Sequence, residues 1–94
     1  MKKLIVMFLD ENCATSAFTE MRKWLGDFIC SKFSFDFDFT RTFEEKMKLI
    51  REQGYDYVAF VDKEYLKQAT VTLKNLKTCE QKVVKDHKIY ENLV

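Results

Sequence analysis

Gly54-Tyr-Asp-Tyr-Val-Ala-Phe-Val-Asp62, Lys63-Glu-Tyr-Leu66 and Thr70-Val-Thr-Leu-Lys-Asn-Leu-Lys-Thr-Cys-Glu-Gln81 decide the fold of this chain. The first reads as a central strand over 55–61, entered after a glycine that stops a helix and left through Asp62, which can cap a new helical turn. The second is that turn, a short one over 63–67. In the third, 70–74 and 80–84 alternate on either side of a loop at 75–79, the pattern of an antiparallel hairpin.

Working back from Gly54, Thr42-Phe-Glu-Glu45 has the form of a capping box. Phe43, Met47 and Ile50 trace one face of the helix that it opens. Before it, Phe33-Ser-Phe-Asp-Phe-Asp-Phe39 alternates with period two, a half-buried strand near a sheet edge where Ser34, Asp36 and Asp38 can meet water. Residues 3–9 form a continuous apolar run, the mark of a strand covered on both faces. Asp10-Glu11-Asn12 stops it and caps an amphipathic helix from Cys13 to about Ser31, with Phe18, Met21, Leu25 and Phe28 on its apolar face. At the other end Asp86 can cap a last short helix carrying Ile89 and Leu93.

The order is β-α-β-α-β-α-β-β-α. Two βα units of this size require right-handed crossovers and a parallel centre, and the hairpin adds antiparallel strands at one side. The expected architecture is a three-layer α/β/α domain with a five-stranded mixed sheet. With 94 residues, 47% of them hydrophobic, the chain supports one core, so residues 1–94 form a single domain.

Composition narrows the function classes. Sixteen basic residues balance fifteen acidic ones, so nucleic-acid contact has to come from a local patch. Two glycines and no proline exclude a Walker loop, the Rossmann fingerprint and a flexible internal linker. Cys13, Cys30 and Cys79 have no paired spacing and only His87 to join them, so neither a metal nor another cofactor is expected. Free thiols point to an intracellular, reducing compartment, the cytoplasm first. Leu4–Leu9 is too short to cross a bilayer, and its acidic stop does not fit a secretory leader.

Asp10, Glu11 and Asp62 follow strand ends, where a receiver-like magnesium pocket would sit, but each also serves as a helix cap. His87, the single histidine, stands in a lysine-rich segment away from those ends and reads as a surface residue. No catalytic residue is assigned. Lys74, Lys77, Lys82, Lys85 and Lys88 crowd the hairpin and its exit, and Arg41 opens the second helix, where free amides favour anions. These bases fit a phosphate-tracking patch, with Asn75 for bases or riboses, or a sheet edge guarded by lysines against aggregation.

Over about residues 3–94 the chain resembles the anticodon-binding domain shared by histidyl-, glycyl-, threonyl- and prolyl-tRNA synthetases of class II. The resemblance is most specific in Phe43-Glu-Glu-Lys-Met-Lys-Leu-Ile-Arg-Glu-Gln-Gly54 and in Thr70–Gln81. It implies a non-catalytic module, most like the histidyl type, that binds the tRNA anticodon stem-loop, with aminoacylation in a separate domain. It further implies nucleic-acid contacts from Arg41, Lys46 and Lys74, and more weakly from Asn75 and Lys77. Family glycines are replaced at Thr40, Glu44, Asp62, Ala69 and Cys79. The alternative is a degenerate synthetase-like domain serving dimerisation, protein docking, regulation or general nucleic-acid binding. Such domains occur in starvation-responsive kinases of a translation initiation factor and in a mitochondrial DNA polymerase accessory subunit. Solvent-facing Phe35, Phe37, Tyr55 or Tyr57 would favour it.

Overall fold

A computed structural model describes residues 3–30 and 33–93, except the side chains of Trp24, Leu25, 27–30, His87, Tyr90 and Leu93. The sheet has five strands: β1 (Leu4–Phe8), β2 (Ser34–Asp36), β3 (Tyr57–Val61), β4 (Thr70–Asn75) and β5 (Gln81–Lys85). They lie in the order β2-β1-β3-β4-β5. β1 runs parallel to both β2 and β3, while β4 and β5 are antiparallel additions. This is the mixed sheet that the βα spacing and the hairpin demanded.

Every residue of β1 is buried because helices cover both faces of the strand. On one face Leu4, Val6 and Phe8 pack with Ala14, Ala17 and Met21 of α1 (Ala14–Cys30) and Tyr65 of α3 (Glu64–Gln68). On the other, Ile5 and Met7 meet Met47 and Ile50 of α2 (Phe43–Glu52) together with Val58 of β3. The strand parity of β1 thus divides one apolar run between two cores.

Local chemistry sets the helix limits. Asp10 accepts the amide of Asn12 at 2.9 Å and opens a short 3-10 turn ahead of α1. The Thr42 hydroxyl accepts the Glu45 amide at 3.2 Å, the threonine half of the capping box. At the far end of α2, Gly54 takes φ 79° while its amide bonds to Arg51 and that of Tyr55 to Ile50, the paired bonds of a Schellman cap. Gly26 interrupts α1 at φ 76° and ψ 156°, a break that the apolar spacing of the helix conceals.

Two expectations are corrected. Phe33–Phe39 is strand only over Ser34–Asp36, and the remainder forms a loop tied by side-chain bonds. Ser34 and Asp36 are half-buried, not open to water: Tyr55, just after α2, donates to the Ser34 hydroxyl at 2.8 Å, and Lys46 of α2 pairs with Asp36. The last segment forms two 3-10 turns, Asp86–Lys88 and Tyr90–Leu93, in place of one α-helix. The Asp86 carboxylate is fully buried and accepts the Tyr65 hydroxyl at 2.6 Å, so it ties this segment to α3. Ile89 is buried as expected. The expectations for Leu25, Phe28, Cys30, Ser31, His87 and Leu93 fall outside the described residues and side chains.

Candidate nucleic-acid interface

The five residues expected to meet nucleic acid fall into two groups around α2. Its ten residues correspond to about 15 Å of helix. Lys46 belongs to its amino-terminal half and Arg41 to the loop just before it, beside the carboxyl ends of the parallel strands. Lys74, Asn75 and Lys77 lie at the opposite end of the sheet, because Asn75 stands across from Tyr57, the first residue of β3.

The first group is held by a chain of short loop bonds. Asp36 accepts the Asp38 amide at 3.0 Å, and Asp38 in turn accepts the amide and hydroxyl of Thr40 at 2.9 and 2.6 Å. The Thr40 hydroxyl and then its amide hold the Asp38 carboxyl below the ordinary aspartate range. The Arg41 guanidinium lies 3.6 Å from Asp38, and its side chain is half exposed. Lys46 is different. It is only 8% exposed, with its ammonium 3.1 Å from Asp36 and 5.0 Å from the centre of the Phe39 ring.

In the second group Asn75 organises the hairpin loop. Its side-chain oxygen accepts the amides of Lys77 and Thr78 at 2.9 and 3.2 Å, and its amide donates to the Tyr57 hydroxyl at 3.3 Å. The Lys77 ammonium stands 3.6 Å from Asp56, with most of its side chain in solvent. Lys74 points to the α2 side of the sheet and lines an open groove with Phe43, Lys48, Arg51, Glu44 and Glu52. Lys48 and Arg51 were not among the expected bases. Their signal was their three-residue spacing, which places them on one helix face.

Two loop positions carry a further mark. Ala69, the cap of α3, has φ 54°, and Cys79, in the hairpin loop, has φ 64°. Both keep a left-handed backbone at places where the resemblance sets glycine. At the other strand ends, Asp10 and Asp62 each accept an amide two residues on, so both carboxylates act as caps. Among the described residues no group of His, Cys, Asp and Glu has the arrangement of a metal site. Nor is any helix among them long and apolar enough to cross a membrane.

A small mixed sheet with helices on both faces, and loops that gather cations at the two ends of α2, defines an α/β module of the anticodon-binding type. The chain belongs to the anticodon binding domain family, whose model matches residues 3–94. No curated protein sequence matches it. Among solved structures it is similar to the RNA-binding domain of threonyl-tRNA synthetase from Cryptosporidium parvum Iowa II, with TM-score 0.75 and 17% identity over 98% of this chain. It is also similar to histidyl-tRNA synthetase from Nostoc sp. PCC 7120, with TM-score 0.77 and 13% identity over 97%. A third match is apo histidyl-tRNA synthetase from S. aureus, with TM-score 0.70 and 16% identity over 99%. The chain spans 22%, 21% and 26% of those three chains, and at these identities the likeness is one of fold.

Proposed function

We propose that this domain binds the anticodon stem-loop of a tRNA as the non-catalytic module of a class II aminoacyl-tRNA synthetase, most like the histidyl type. Family membership over residues 3–94 carries the reading, and histidyl and threonyl enzymes are among its structural neighbours. The placement of cations supports it. Arg41 presents a half-exposed guanidinium just before the amides of α2, Lys74 lines the groove beside that helix, and Lys77 extends into solvent from the hairpin loop that Asn75 holds in shape. An RNA backbone lying along α2 would meet cations at both ends, and contacts of this kind set register and affinity.

The test is a double substitution, Arg41→Ala with Lys74→Ala. Each lost phosphate contact flattens the salt dependence of binding by roughly 0.7–0.9 in log–log slope, so we expect affinity to fall about tenfold at low salt. Stability should change by less than about 0.5 kcal/mol because neither side chain supports the core. An unchanged affinity for tRNA would remove this surface from the account.

The reading as a dimerisation or docking domain depended on exposed aromatics. Phe35 and Tyr57 pack on one core and Tyr55 on the other. Phe37 is 48% exposed, yet it stacks on Phe8 with ring centres 4.9 Å apart. One half-covered ring gives that reading little support, and sedimentation of the purified domain as a monomer is the expected outcome.

A further inference from the structure

Lys46 stands on the wrong side of α2 for a residue that contacts RNA. Along the helix it lies three residues after Phe43 and four before Ile50, on the stripe that faces the sheet. Its ammonium is enclosed by Asp36 at 3.1 Å and by the Phe39 ring at 5.0 Å, with the side chain only 9% exposed. A buried cation of this kind is retained when its partner is well placed, and here the partner carboxylate is itself 16% exposed.

The carboxylate has a second task. While one oxygen of Asp36 holds Lys46, the other accepts the amide of Asp38 at 3.0 Å. Asp38 then accepts both donors of Thr40 and faces Arg41. A continuous run of polar contacts therefore leads from the interior of α2, through the end of β2, to the exposed guanidinium.

We propose that Asp36 and Lys46 form a latch that fixes the 37–42 loop and thereby the position of Arg41, which makes Lys46 a positioning residue and not a phosphate ligand. The role assigned to Arg41 rests on the RNA-binding reading. The latch itself is a property of the folded chain.

Asp36 gives the test its sign. Removing a carboxylate near an RNA surface strengthens binding if only the electrostatic field matters. Through the latch, the same change weakens it. Asp36→Asn, Lys46→Met and the conservative Lys46→Arg would be compared in the full chain, each alone and combined with Arg41→Ala. Amide hydrogen exchange over 37–42 reads the loop, and titration with tRNA reads binding.

Asp36→Asn and Lys46→Met should speed exchange at Asp38 and Thr40 by about tenfold or more. They should weaken tRNA binding about three- to tenfold, and this loss should vanish when Arg41 is already alanine. Lys46→Arg, which keeps a cation within reach of Asp36, should retain most of both properties, and it guards against simple unfolding of the methionine variant. Unchanged exchange overturns the latch. Faster exchange with a binding loss that persists in the Arg41→Ala background overturns the positioning role. If the unaltered protein binds no RNA, the RNA-binding reading fails, and exchange alone then decides the latch.

Discussion

Ala69 and Cys79 bear the clearest residue-scale tension in this domain, since each holds a left-handed backbone without being glycine. A Cβ in that conformation costs about 1–2 kcal/mol, partly offset because glycine loses more freedom on folding. Ala69→Gly and Cys79→Gly should therefore each stabilise the fold by about 0.5–1 kcal/mol, read as a higher urea midpoint at unchanged slope. A lower midpoint for both would refute the strain argument. The thiols should also separate by reactivity. Burial, and then the neighbouring Asp10 carboxylate, raises the pKa of Cys13 above its ordinary value, so at neutral pH it stays protonated. Cys79 is exposed in the hairpin loop. In a timed alkylation at pH 7 followed by peptide mass spectrometry, Cys79 should be modified well before Cys13. Equal rates would contradict the partial burial of Cys13.

Elements were legible in the sequence wherever a period met a punctuation mark. Thr42 and Gly54 bracket α2, and the structure shows the threonine cap at one end and the glycine Schellman cap at the other. Thr42→Ala should cost about 1 kcal/mol in chemical denaturation, and Thr42→Ser should recover most of it. No loss in the alanine variant would mean that the cap is idle. Less legible was anything decided by a neighbouring element. The alternation of Phe33–Phe39 correctly marked an edge, but it could not show that Tyr55 and Lys46 engage Ser34 and Asp36 or that pairing ends at Asp36. The carboxy-terminal segment has helical spacing, yet its Asp86 turns inward to Tyr65, and the backbone closes only 3-10 turns. Lys46 was readable in principle. Its spacing from Phe43 and Ile50 sets it on the apolar stripe, whereas the resemblance set it on a polar position of the helix.

At the scale of the whole molecule, the fold arises from few instructions: one strand buried on both faces, two crossovers between parallel strands and a hairpin. The cations around α2 were visible as residues but not as a surface, because their grouping depends on which end of the sheet each loop reaches. Glu44 and Glu45 in the first turn of α2 complement its dipole, and they also place negative charge beside Arg41. Asp56 beside Lys77 and Glu52 in the Lys74 groove do the same at the other end, so any affinity for RNA is a balance of cations and acids at both ends and should be strongly dependent on salt. The most direct measurement is titration of the purified domain with labelled total tRNA at low and physiological salt, with an unrelated RNA hairpin as competitor. Binding should weaken as salt rises yet persist at physiological salt and resist the competitor. Binding that vanishes with salt, or that the hairpin displaces fully, would contradict the proposed tRNA binding.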